Sequence, residues 1–356
     1  MFVGITNTPR DYAWGSHGGI SELLGVQASG GPEAELWLGA HPGSPSRIVG
    51  SDQTLLDLDA RLPFLMKVLA ADLPLSLQAH PTMEQAAAGF ARENALGIPL
   101  DAPERNYRDP FHKPELIYAL SEEFHALCGF RPVDEILELL ASLPEAEPLA
   151  GRLRADGLED TFEWLVTRGT GVDELVSAVS AGADPTARLL AAAFPGDPGI
   201  AVSLLLNHVT LTQGEALYLP AGNIHAYLSG VGIELMSSSD NVLRGGLTPK
   251  HVDVPELLSA LDFRPIPVPY LEPQHPSAGI EAFVPPVPEF QLLVVRGSAT
   301  VTLHGAAIAL CITGRFSLSG SASATVLARG ESAWVSADEE TVRIEGDGEL
   351  FIATTQ

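Results

Sequence analysis

The chain has 356 residues, 46% hydrophobic and 18% charged, the make-up of a globular protein of two or three domains rather than a disordered one. A formal net charge of −25 with no basic run excludes electrostatic binding to nucleic acid or anionic membranes. No apolar run reaches the ~18 residues of a membrane helix, the first residues lack the layout of a signal peptide, and Cys128 and Cys311 form no CxxC. A cytoplasmic location is therefore expected.

Residues 1 to about 120 carry short apolar segments between Gly and Pro turns, such as "AELWLGAHPG" and "LPFLMKVLAADLPLSLQAHPT", and read as β-strands with irregular connections. One helix is predicted over Met83 to Glu93, with Thr82 as N-cap and Gln85 completing a capping box. From Arg131 to Ala193 the apolar spacing changes to three and four, bounded by Pro, Gly and capping Asp, which predicts a helical block. Strand texture returns with "IAVSLLLNHVTLTQGEALYLPAG". The Pro-rich stretch Arg264 to Gly279 reads as an extended linker, and alternating segments follow it to the end. The helices thus interrupt one β-domain, giving three units: 1–120 with 195–263, 121–194, and 264–356.

Gly214, Pro220, Gly222 and His225 keep the G-x5-P-x-G-x2-H spacing of the second cupin motif, with Ser229 where that motif has Asn. That resemblance implies a jelly-roll barrel whose turn aims His225 inward. "GESAWVSADEET" at Gly330 echoes the same stretch, with Ser336, Asp338 and Thr341 in place of the proline, second glycine and histidine. A second, degenerate barrel is expected there. The fold class is mainly β, with two cupin-type jelly-roll barrels plus a helical domain.

Gln78 and His80 stand two apart on a strand and so share a face. Glu115 begins another strand, and with His225 these supply two imidazoles, a carboxylate and an amide oxygen, a donor set suited to zinc or another first-row metal. From spacing alone the alternative stays open: a His80-Pro81 turn, a solvated Glu115 and a hydrogen-bonded core His225. His41 and His112 sit in turn-like contexts and read as ordinary. Downstream, Glu234, Asp240, Asn241, Arg244, Lys250 and His251 crowd one segment, and Thr248-Pro249 reads as the start of a helix whose N-terminus would cradle a phosphate.

Taken together, "YAWGS", "AELWLGAHP", "LPFLMKVL", "LPLSLQAHP", "HKPEL", "LYLPAGNIHAYLSGVGIELM" and "SDNVLRGGLTPKHVDVPELL" resemble, in order, the type I phosphomannose isomerases over most of the first 260 residues. The chain departs from the family's usual pattern at Ala79 and Gly245. The resemblance implies one Zn2+ per chain on Gln78, His80, Glu115 and His225, and Arg244 as catalytic arginine. By motif position it places Ser76, Lys113, Glu234 and Lys250 in the same pocket, with Trp14 and Lys67 as further candidates.

The implied reaction interconverts mannose 6-phosphate and fructose 6-phosphate through an enediol-type proton transfer. Glu234 is the candidate base, and Lys250 or Lys113 the phosphate anchor. The implied partner is a small sugar phosphate, bound by a monomer. An iron cupin dioxygenase and a non-catalytic sugar-phosphate-binding module are the competing classes.

Overall fold

The computed structural model describes residues 1–356. Two antiparallel sheets organise it, one of nine strands and one of ten. The nine-stranded sheet is built largely from residues 35–246, and the ten-stranded sheet from residues 274–354. Strand Phe2–Thr6 joins the second sheet, pairing antiparallel with Ser332–Val335. The fold is the expected one, mainly β with cupin-type sheets and a helical block.

The helical block follows the spacing read from sequence: Val133–Ala141, Glu147–Val166, Val172–Ser180 and Pro185–Ala193. Their apolar stripes bury Ile136, Leu149, Phe162, Val176 and Leu190 in one core. That core also takes Leu77, Ala79, Ala226, Leu228 and Leu243 from the outer face of the first sheet. The helix Met83–Ala95 starts on the Thr82/Gln85 capping box.

Three local expectations are corrected. Gly199–Leu205 is helical turn, not strand, and the strand begins at Leu206. A continuous apolar run fits a buried helix as well as a buried strand, and here packing against the helical block decides. The helix after Arg244 starts at Val254 under Asp253, whose side chain caps Glu256, rather than at Thr248. The Pro-rich stretch is no free linker: Tyr218 N–H donates to Pro269 O at 3.0 Å and Leu271 N–H to Ala216 O at 2.9 Å, so it lies along the edge strand Ala216–Leu219.

The echo between the two β-regions holds in three dimensions. Ala216–Leu219 leads through a turn to a long strand opening at His225, and Ser332–Val335 leads through a turn to one opening at Thr341.

Candidate metal centre and cationic pocket

Strand alternation builds the site. On Phe64–Ala71, Phe64, Met66, Val68 and Ala70 enter the core between the sheets, which leaves Lys67 on the opposite, inner face. On Glu115–Ala119, Leu116 and Tyr118 enter the same core, so Glu115 points inward. Leu77 and Ala79 pack on the helices and leave Gln78 inside; Leu243 does the same for Arg244. On His225–Ser237, Ala226 and Leu228 face the helices while His225 and Tyr227 face the barrel. A register shift after Tyr227 lets Ile233 and Leu235 face the intersheet core, with Glu234 turned inward. Gln78 is the direct partner of both His225 and Arg244, and Glu234 of Lys67.

His80, Glu115 and His225 meet with their ligand atoms within 4.8 Å of one another, and none is more than 1% exposed. Glu115 is therefore not a solvated strand end. His80 Nδ1 lies 2.8 Å from Asn241 O, and His225 Nδ1 lies 3.0 Å from Asn223 O. A carbonyl only accepts, so both Nδ1 atoms carry the proton and both Nε2 atoms present bare lone pairs. Each Nε2 stands 3.2 Å from a different Glu115 oxygen, and all four atoms are buried without a well-directed hydrogen bond. Lys113 reaches only Glu115 Oε1, so the remaining cluster of acceptors facing acceptors is costly unless a further cation sits among them. Burial holds His80 neutral, its pKa pushed down to about 4. Burial alone would raise Glu115, but Lys113, whose Nζ is 2.7 Å from Oε1, and the imidazoles outweigh it and hold that carboxyl well below the usual range. The turn ahead of His225 is tied to the other histidine: Gly222, at φ 79°, donates its N–H to His80 O at 2.9 Å.

Beside this cluster opens a cavity of about 960 Å³, lined by Trp14, Ser76, Gln78, Lys113, Arg244 and Lys250 among others. Of the sequence-predicted residues, Trp14, Lys67, Ser76, Gln78, Lys113, Arg244 and Lys250 line it, His80, Glu115 and His225 form the cluster beside it, and Glu234 does neither. That residue is buried and does not line the cavity; it lies behind Lys67, which does, with Lys67 Nζ at 2.8 Å. Burial, together with Glu115 and Glu35, pushes Glu234 above the ordinary carboxylate range against the pull of Lys67. Burial would lower Lys67, but Glu234 and Glu35 raise it further and keep it an ammonium.

Arg108 and Trp37 also line the cavity and were not singled out from sequence; Asp240, named there only as one of the polar residues crowding its segment, lines it too. Asp240 could have been promoted from its cationic surroundings. His41 accepts Gly43 N–H at Nδ1, as its turn context suggested, and so presents a protonated Nε2 to Asp240 at 3.3 Å. His112 pairs with Glu289 at 2.7 Å and lies outside the cavity lining. Arg108, Arg244 and Lys250 form no ion pair. Burial and Arg108 lower Arg244, while Arg244, then burial and Arg108, lower Lys250. Arg244 makes one long contact, Nη1 to Ser76 Oγ at 3.4 Å. In a chain of charge −25, three cations that line one cavity without an ion-pair partner form a site for an anion.

Fold and site define a class: a cupin-type protein with a two-histidine, one-carboxylate metal set beside a cationic pocket. Two family models match the chain, "Phosphomannose isomerase type I, catalytic domain" over residues 2–133 and "Mannose-6-phosphate isomerase, cupin domain" over residues 288–355. The chain is 39% identical to the mannose-6-phosphate isomerases of Shigella flexneri and Escherichia coli, with 97% of each chain covered, and 34% identical to that of Homo sapiens, with 86% of each covered. It superposes with a TM-score of 0.91 on the Salmonella typhimurium mannose 6-phosphate isomerase bound to fructose 6-phosphate and zinc, at 38% identity, covering 100% of this chain and 99% of that one. The chain belongs to the mannose-6-phosphate isomerase family and is an enzyme of that family.

Proposed function

We propose that the chain interconverts mannose 6-phosphate and fructose 6-phosphate in a zinc-dependent reaction. The observation that carries the reading is the buried set of bare Nε2 and carboxylate atoms of His80, Glu115 and His225 beside three unpaired cations. One zinc per chain would be held by those three residues and Gln78. When bound, it supplies Lewis-acid stabilisation of the sugar oxygens.

The reaction moves a proton from C2 to C1 of the open-chain sugar, with the matching exchange of hydroxyl protons. Glu234 has the raised proton affinity that suits a base, but Lys67 stands between it and the cavity. Glu234 is therefore our candidate base only by way of Lys67, which would pass a proton to Glu234 as it takes one from the sugar. Arg244 stays protonated and cannot serve as a base at neutral pH. Its place beside Gln78 fits stabilisation of charge developing on the sugar oxygens. Lys250 anchors the phosphate. Lys113, tied to Glu115, orients substrate from the metal side, and Ser76 and Trp14 complete the walls.

The three units read from sequence remain our domain proposal, the first carrying the chemistry. No helix is long and apolar enough to cross a membrane. Both cysteines are free and buried, which fits a monomer working in the reducing cytoplasm. The test is a coupled assay of fructose 6-phosphate formation from mannose 6-phosphate. Turnover supports the reading, and oxygen uptake or binding without turnover would replace it.

A further inference from the structure

The loop that follows Arg244 is strained and is held from outside the barrel. Leu247 is fully buried at φ 53°, in the left-handed region that non-glycine residues rarely occupy. Such a conformation persists only where its surroundings impose it. Here a single carboxylate does so: Asp197, on the segment leaving the helical block. Its Oδ1 accepts Leu247 N–H at 2.8 Å and Gly199 N–H at 2.7 Å, and its Oδ2 accepts Thr248 N–H at 3.3 Å. Thr248 Oγ1 in turn accepts Lys250 N–H at 3.1 Å.

The fit leaves no slack. A Cβ on Gly199 would stand 2.8 Å from Leu247 Cγ, and one on Gly246 would stand 3.1 Å from Gly199 Cα. Phe194, which precedes Asp197, lines the same cavity as Lys250. Arg244, by contrast, is fixed within the sheet, paired with Gln78.

We propose that Asp197 is a positioning residue through which the helical block sets Lys250 against the substrate phosphate. The inference rests on the phosphate-anchoring role given to Lys250 above. It gives the segment that leaves the helical insertion a task in catalysis: completing the anion subsite on a barrel that already holds the metal ligands and Arg244.

The test is a double-mutant cycle on the zinc-loaded full chain, reading KM and kcat for mannose 6-phosphate, the Kd of fructose 6-phosphate by calorimetry, and zinc content. Asp197→Ala should raise KM and Kd about tenfold, with kcat changed less than about twofold and zinc retained. Asp197→Asn keeps an oxygen for Leu247 and Gly199 but turns an N–H toward Thr248. It should raise both constants about threefold, and it keeps the test open if the alanine variant folds poorly. With Lys250→Ala already in place, either Asp197 change should alter Kd by less than about twofold, because the group it positions is gone.

An equal loss with and without Lys250 would overturn the proposal, as would loss of zinc or a fall in kcat at unchanged KM. A parent chain that neither binds fructose 6-phosphate nor turns over mannose 6-phosphate would overturn the functional reading itself. A competent parent indifferent to Asp197 would overturn this inference alone.

Discussion

Replacing Arg244 by alanine separates its proposed catalytic role from a structural one. In the free protein the guanidinium makes a single 3.4 Å contact to Ser76, and Arg108 and Lys250 are like-charged neighbours. Its removal should therefore cost less than about 1 kcal/mol of folding stability. The transition state is another matter. An oxyanion about 4 Å from a unit charge at an effective dielectric of ~20 gains about 4 kcal/mol, and the partial exposure of Arg244 reduces that to roughly 2–4. kcat should thus fall by about 30-fold to 10³-fold. The coupled assay gives kcat and KM, metal analysis gives zinc content, and a thermal melt gives stability. Arg244→Lys should recover part of the loss, since a point charge replaces the planar fork. Lys250, held down chiefly by Arg244, should titrate higher in the alanine variant, which NMR of labelled lysines would detect. A rise in KM with kcat intact would refute the account and leave Arg244 as a binding group. Loss of zinc would refute it by making the residue part of the metal site.

Glu115→Gln removes the only carboxylate among the buried ligand atoms and unpairs Lys113, so zinc affinity should fall at least about 100-fold, as measured by competition with a chromogenic chelator. Glu234→Gln should slow exchange of the C2 proton with solvent by about 10² or more, followed by NMR in deuterated buffer, with zinc content unchanged. Gly199→Ala forces a Cβ into Leu247 and should cost about 1–3 kcal/mol in denaturant unfolding. In the turn between strands Ser332–Val335 and Thr341–Thr354 of the second sheet, Glu339 accepts Ala322 N–H and, at 2.5 Å, the Ser323 hydroxyl; the Ala322 amide first, then the terminal ammonium and Ser323, bring its pKa down to about 2. A depressed carboxylate stabilises the fold above its unfolded pKa and loses that effect as pH falls. The gap in unfolding midpoint between parent and Glu339→Gln should therefore be full above pH 4.5 and close toward pH 2.

Much of the candidate metal site was legible because its determinants are local. Period-two alternation placed Gln78 and His80 on one face, and the Pro-x-Gly turn fixed where the strand of His225 begins. Glu234 was placed by motif position alone: strict alternation from His225 would turn it outward, and the register shift after Tyr227 is what turns it in. Its distance from the cavity depends on Lys67, its partner across a strand pair 167 residues apart in sequence. The run Gly199–Leu205 misled because uniform apolarity carries no period. Thr248-Pro249 misled because a stronger cap, Asp253 with Pro255, lies a turn later. Asp197 was invisible for another reason. Its partners are backbone N–H groups 50 and 51 residues away, and a backbone donor leaves no mark in a sequence.

The most direct test of the central claim is a zinc titration of the chelator-stripped chain, with fructose 6-phosphate formation from mannose 6-phosphate as the readout. The account predicts no turnover without metal and activity rising in proportion to zinc until one equivalent per chain is bound. Full turnover in protein shown by metal analysis to be zinc-free would contradict it.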